Sequence, residues 1–261
     1  MLVQSAMASA TSVPISAPVT TVPFPAHLYC NEPHVTTQVC YNEVVPKMVD
    51  HEARRMELAE AVWRVIARSG MSGATVRSVA SEAGMSPGAL RHYFSDQAGL
   101  LRFAAQTMTR RVVARLKQHL ANGTSGIELS WRLLEEMLPL DSNRRIEVIV
   151  WLEGISQARH DPELNEVKTS GWFGERYICR AAWAIARGLP VPQLLTEELT
   201  PEDEACIGKL HTFMDGLTLQ ALAFPEQVTP SHAAQQMRDF LSTLLSEVNS
   251  HRRAGDKTDR S

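Results

Sequence analysis

Residues 75–94 read TVRSVASEAGMSPGALRHYF, and this run decides the fold. Thr75 belongs to the residue types whose side-chain oxygen caps the free N–H groups of a first helical turn, so a short helix is predicted to start beside it. Val76, Val79, Ala80 and Ala83 recur at three- and four-residue intervals and give that helix an inner face. Gly84 can take the positive φ that turns the chain. Ser86-Pro87 then launches a second short helix, a capping Ser followed by Pro at the position where a missing N–H is harmless. Ala80 has to be small where the two helices cross, and Met85 fills the space between them. Two short helices joined by a glycine-containing turn make a helix-turn-helix.

The same run resembles the DNA-binding domain of the TetR family of regulators. It matches at Thr75, Val76, Arg77, Val79, Ala80, Ala83, Gly84, Ser86, Pro87, Gly88, Leu90, Tyr93 and Phe94, then at Leu100-Leu101, within a likeness spanning about 50–110. The resemblance implies that the second short helix enters a major groove of double-stranded DNA. It places Thr75 against a phosphate, with Val76 and Arg77 beside it. Ser86, Pro87, Gly88 and Ala89 open the recognition helix, where small side chains allow close approach to backbone and thymine methyls. Arg91 stands where many relatives carry Tyr and is the candidate for reading a guanine edge; His92 and Tyr93 sit near phosphates. Gln97 replaces a customary Lys, so it can bond a phosphate but forfeits the counterion release of a cation. Lys47, Arg54 and Arg55 can make up that charge. Plainer roles stay open: Tyr93 as structural, Arg91 as a solvated charge, Trp63 and Phe94 as core.

Working outward, Met56, Ala59, Val62, Trp63, Ile66 and Ala67 form one apolar stripe that ends near Ser69-Gly70. Ser95-Asp96 begins another helix, carrying Leu100, Leu101, Phe103, Ala104, Met108 and Val112. Further helices are expected over about 127–138, 142–160, 163–188, 201–223 and 230–249, the last two starting at the Thr-Pro pairs Thr200-Pro201 and Thr229-Pro230. No strand alternation competes, so the fold class is all-α: an N-terminal three-helix helix-turn-helix domain and a C-terminal helical bundle. The net charge of −3 conceals a split. Residues 47–117 carry 12 basic and 6 acidic side chains, whereas 118–249 carry 10 and 19. A basic block on an acidic body is the asymmetry expected when one module meets phosphates and the other does not.

Residues 1–46 have six prolines, many Ser, Thr and Ala, and no Lys or Arg, a composition expected to be disordered. Met48, just before the first helical pattern, is a candidate alternative start. The domains expected are a DNA-binding domain over 47–110, an effector-binding and dimerisation domain over 111–249, and a disordered tail over 250–261.

In the C-terminal half, RRIEVIVWLEGISQARHDPEL and MDGLTLQALAFP resemble the BetI-like subgroup. That resemblance implies that the helices near 201–223 and 230–249 pair with their copies in a homodimer. Leu210, Phe213, Met214 and Leu217 on one, and Met237, Phe240, Leu241 and Leu244 on the other, are the expected contacts, alongside Ile207, Leu219 and Leu245. A small-molecule effector pocket is expected between the helices at 98–118 and 142–188. Phe103, Met137, Trp151, Glu153, Trp172 and Tyr177 are its candidate lining, each with a core or solvent-facing role as the alternative, as for Trp131, Phe173 and Trp183.

No H-E-x-x-H, P-loop or nucleophile elbow is present, so an enzyme is not expected. Cys30, Cys40, Cys179 and Cys206 form no C-x-x-C pair, so neither a disulfide framework nor a zinc site is expected, and no cofactor. A thiol or metal sensor using Cys179, Cys206 and His211, or a ligand-binding relative without DNA binding, are the competing readings. No stretch approaches a membrane span, and a cytoplasmic protein is expected. The reading is a DNA-binding transcription regulator, a homodimeric repressor released from its operator by a small molecule.

Overall fold

A computed structural model describes residues 46–258 except 95, 193–196 and 198; side chains at 46–52, 71, 163 and 251–258 are not described. The expected extension, the Met48 question and the Lys47 side chain therefore lie outside the described residues. The described chain is helical: α1 (Pro46–Gly73), α2 (Val76–Glu82), α3 (Pro87–Arg91), α4 (Gln97–Ala121), α5 (Gly126–Glu135), α6 (Ser142–Ala158), a 3-10 turn at Pro162–Leu164, α7 (Asn165–Ala186), α8 (Pro201–Ala223) and α9 (Pro230–Thr258). The helix starts lie where the side chains can cap them. Thr75 Oγ1 accepts from Ser78 N while Ser78 Oγ accepts from Thr75 N, a reciprocal box. Ser86, Asp96, Asp141 and Thr200 cap α3, α4, α6 and α8 one way, each side chain accepting from backbone N–H groups of the first turn. Two stops differ from the expectation. α1 passes a break at Gly70 (φ +66°) and runs on to Gly73. α9 continues to Thr258, so residues 250–258 are helix and not a disordered tail.

Two apolar cores divide the helices. The first joins α1, α2, α3 and the N-terminal half of α4 through Leu58, Val62, Ile66, Val79, Ala80, Leu90, Leu100 and Leu101. Trp63 is buried there and donates its indole N–H to Ala104 O. Val150 and Ala158 of α6 belong to the same core. The second core gathers the rest of α4 with α5, α7, α8 and α9 around Leu116, Leu134, Trp183, Leu210, Met214, Met237 and Leu241. Trp183 Nε1 donates to Asp203 Oδ1 at 2.8 Å, and Arg187 pairs with the same carboxylate at 3.0 Å, tying α7 to the first turn of α8. α4 thus belongs to both cores, whereas α6 adds apolar side chains to the first and packs on α7 with another face.

Candidate nucleic-acid interface and effector cavity

The helix-turn-helix follows from its small residues. Ala80 is fully buried at the α2–α3 crossing, Gly84 turns the chain at φ +62°, and Met85 N donates to Ala80 O at 2.8 Å. Phe94 sits against Phe103 with ring centroids 5.0 Å apart, which fixes the exit of α3 on α4. The arrangement leaves Thr75, Arg77, Ser86, Pro87, Gly88, Arg91, His92, Tyr93 and Gln97 exposed together on the α2–α3 side, with Val76 and Ala89 half-buried among them. Arg77 and Arg91 have no ion-pair partner among the described residues, so their charge is available to an outside anion. By contrast Arg64 and Arg68 both clamp Glu82, at 2.7 and 3.1 Å, and hold its carboxyl below the usual range. Arg54 pairs with Glu57 at 2.6 Å, so a phosphate contact from it requires exchange of that partner. Arg55 lies 5.7 Å over the Phe103 ring.

Between α4, α6 and α7 lies a cavity of about 720 Å³ of atom-free space, partly continuous with solvent. Val112, Val113, Leu116, Val148, Met137 and Ile178 make its walls apolar. Trp151 lines it, with an indole N–H that is buried and finds no acceptor among the described residues. Gly171 permits that placement, because a Cβ there would lie 2.8 Å from Trp151 Nε1.

Three acids reach this cavity, and two are neutralised. Glu136, with its side chain fully buried, receives Arg144 at 2.6 Å, His119 at 2.8 Å and Arg115 at 2.5 Å. Burial alone would raise its carboxyl, but these three hydrogen bonds outweigh it and hold the group below its ordinary value. Glu147 takes both terminal nitrogens of Arg115, at 2.9 and 2.6 Å. The cluster crosslinks α4, the end of α5 and α6. Glu175, the third acid, has no basic partner within salt-bridge reach among the described residues except a histidine, His211, and burial followed by the Asp215 charge pushes it well up.

Of the expected effector residues, Met137 and Trp151 line the cavity. Four do not. Phe103 is core of the helix-turn-helix half, since it falls on the α4 turn that meets Phe94. Glu153, two residues from Trp151 and so on the opposite side of α6, faces α1, with Oε1 3.6 Å from where a Gly70 Cβ would stand. Trp172 is 50% exposed, packed on Phe173 at 5.2 Å. Tyr177 lines a smaller apolar space with Leu120, Leu133 and Val191. Nothing in one helix's periodicity distinguishes these faces. The arginine–glutamate cluster escapes sequence reasoning for the same cause, since its partners lie up to 32 residues apart.

The expected dimer residues also require correction. Leu210, Met214, Leu217, Met237, Leu241 and Leu244 are buried inside the protomer, where α8 and α9 close on α5 and α7. Phe213 and Phe240 stack on each other at 3.9 Å and stay half-buried. Ala205, Lys209, Thr212, Gly216, Leu219, Gln220 and Ala223 form the exposed stripe of α8 instead. Both described cysteines are buried; burial pushes the Cys179 thiol well up, and the Cys206 thiol up, which argues against a reactive thiolate.

Comparison with known proteins places both halves. Residues 58–103 match the family described as bacterial regulatory proteins, tetR family, and 126–246 match the C-terminal domain of BetI-type transcriptional repressors. The HTH-type transcriptional regulator PksA of Bacillus subtilis (strain 168) is 34% identical over 204 residues, covering 78% of this chain and 95% of its own. The regulator BetI of Burkholderia thailandensis is 32% identical over 202 residues, covering 77% and 98%. A solved transcriptional regulator from Rhodococcus sp. Rha1 is similar at a TM-score of 0.62 and 29% identity, over 74% of this chain and 96% of its own. One from Saccharomonospora viridis, solved in complex with choline, has the same fold at 0.63 and 22% identity, covering 74% and 96%.

Proposed function

The chain belongs to the TetR family of transcriptional regulators, and on that premise we propose that it is a repressor whose grip on its operator is loosened by a small molecule in the α4–α6–α7 cavity. That it binds operator DNA as a dimer, and is a regulator and not an enzyme, comes with the family. The finer reading rests on one observation. α6 presents Val148 and Trp151 to the cavity while Val150 packs in the core of the helix-turn-helix half. A ligand that moves α6 relative to α4 therefore moves the base on which α3 is mounted. By linkage, a ligand favouring a spacing of the two recognition helices that misfits the half-sites lowers DNA affinity by its differential affinity for the two states.

In this reading the DNA-binding domain covers 47–110 and the regulatory domain begins within α4. Contacts to phosphates come from Thr75, Arg77, His92, Tyr93 and Gln97, with Lys47 and Arg54 as charge reserve, and Arg91 reads the base edge at the end of α3. Ser86, Pro87, Gly88, Ala89 and Val76 form the close-approach surface. The two α8 helices pack through the Ala205–Gly216–Ala223 stripe. Gly216 supports this, since a Cβ there would meet no atom of the described residues within 4 Å and its smallness is free to serve a partner. The setting is the cytoplasm, where the operator is; among the described residues no helix is long and apolar enough to cross a membrane.

The apolar walls, one unpartnered indole N–H and an acid without an arginine suit a small amphipathic effector, with a positive charge tolerated. A thermal-shift screen of such compounds, choline among them, followed by operator release with each hit, tests the reading. Hits that stabilise the protein and weaken its DNA complex are expected; a screen with no stabilising compound would remove the effector part of the proposal.

A further inference from the structure

Where α7 meets α8, Glu175, His211 and Asp215 bring three ligand-type atoms within 4.8 Å of one another. His211 and Asp215 are four residues apart on one face of α8, and Glu175 reaches across from α7. His211 Nε2 stands 3.8 Å from Glu175 Oε2 and 3.6 Å from Asp215 Oδ1, beyond hydrogen-bond range. All three atoms are buried and none has a hydrogen-bond partner among the described residues. The His211 side chain is only 5% exposed, with the Trp172 ring 5.5 Å away, so its nitrogen points into the cluster with no access to solvent. The nearby guanidinium of Arg176 is committed to Glu204 at 2.6 Å. Burying the Glu175 carboxyl and the His211 imidazole, with one oxygen of the half-exposed Asp215 turned toward them, leaves lone pairs unmet at a cost unless something satisfies them together.

We infer that Glu175, His211 and Asp215 form a binding site for one first-row divalent transition-metal ion of the zinc class. Two carboxylate oxygens and one imidazole nitrogen suit such an ion better than magnesium or calcium, which prefer oxygen alone, or copper(I), which prefers sulfur. With bonds of about 2.0–2.2 Å, neighbouring ligand atoms on a tetrahedral ion stand roughly 3.3–3.6 Å apart, so the two histidine separations need to contract by at most about half an ångström, and the two carboxylate oxygens, which lie within 4.8 Å of each other, close on the ion by side-chain rotation. Cys179, one turn beyond Glu175, does not join: its thiol is directed at Met137 Sδ, 3.9 Å away. Three protein ligands leave a fourth position open, as in sites that exchange ligands. Glu175 also lines the effector cavity, so the ion changes the charge of that wall; its binding does not require that the cavity take an organic effector.

The test uses the full-length protein stripped with a chelator and titrated with zinc chloride against a chromogenic competitor. Wild type is expected to take one zinc per protomer and to unfold at a higher temperature when loaded. Asp215→Asn and His211→Gln are each expected to bind at least tenfold more weakly and to lose the zinc-dependent shift in unfolding temperature. Asp215 is half-exposed and its amide nearly isosteric, so that variant keeps the test should His211→Gln not fold. Wild type that takes up less than one zinc per protomer, or variants that bind as tightly as wild type, would overturn the inference. Operator binding is measured on the same samples without zinc; retained DNA binding with no zinc uptake discards this site and leaves the regulator reading intact.

Discussion

Arg91→Ala and Thr75→Ala should fail in different ways. Arg91 is exposed at the end of α3 without an ion-pair partner among the described residues, and a bidentate arginine–guanine contact contributes about 1–3 kcal/mol of discrimination. Its removal is expected to relax sequence preference while leaving residual, salt-sensitive binding. Thr75 Oγ1 caps α2, so Thr75→Ala loses about 1 kcal/mol of stability and weakens binding to every sequence alike, whereas Thr75→Ser restores both. Anisotropy titrations on matched and scrambled duplexes, with melts of each variant, separate the two; equal loss of specificity would contradict these roles. At Gly171 the added Cβ of Ala would stand 2.8 Å from Trp151 Nε1, forcing the indole to move. Gly171→Ala is expected to shift effector response with little change in DNA affinity, read as release curves for a ligand found by the thermal screen.

At the scale of elements, the capping residues make the helix order legible: Ser86-Pro87 and Thr200-Pro201 begin helices where the side chains can serve the free N–H groups. Which face each helix buries is not legible beyond the first core. The apolar stripes on α8 and α9 exceed one buried face, yet they belong to the protomer's own core, because α5 and α7 cover them. The end of α9 is hidden in the sequence because charged residues near 252–257 suit a tail and a solvated helix equally. The Glu136 cluster holds α4, α5 and α6 together, and removing one member of a buried ion pair costs about 3–5 kcal/mol. Arg115 and Arg144 keep some solvent contact, so Glu136→Gln is expected near the lower end of that range in urea unfolding. The folded-state pKa of Glu136 is depressed, so its contribution is fully present above the ordinary value of 4.5 and is lost as pH falls through the folded value. Wild type should lose stability across that acidic range more steeply than Glu136→Gln; parallel pH dependences would contradict this.

For the whole molecule, the charge split and the helix-turn-helix run are visible in the sequence because both are local in the chain. The α4–α6–α7 cavity and the Glu175–His211–Asp215 cluster are not, because each is assembled from separate helices. The dimer face is tested through Gly216, where a side chain has open space within the protomer. Gly216→Arg is expected to keep its helix content, run as a monomer in sedimentation and lose most DNA affinity; an intact dimer would move the interface elsewhere. The regulator reading turns on α3 reading DNA twice across a twofold dimer, and selection from a pool of random duplexes, with wild type and Arg91→Ala in parallel, examines that without intermediaries. Wild type should enrich a near-palindrome with half-sites roughly 10 base pairs apart or a multiple of that, and Arg91→Ala should lose preference at one base pair in each half. Enrichment of no common sequence by wild type, or of the same site with equal stringency by Arg91→Ala, would contradict it.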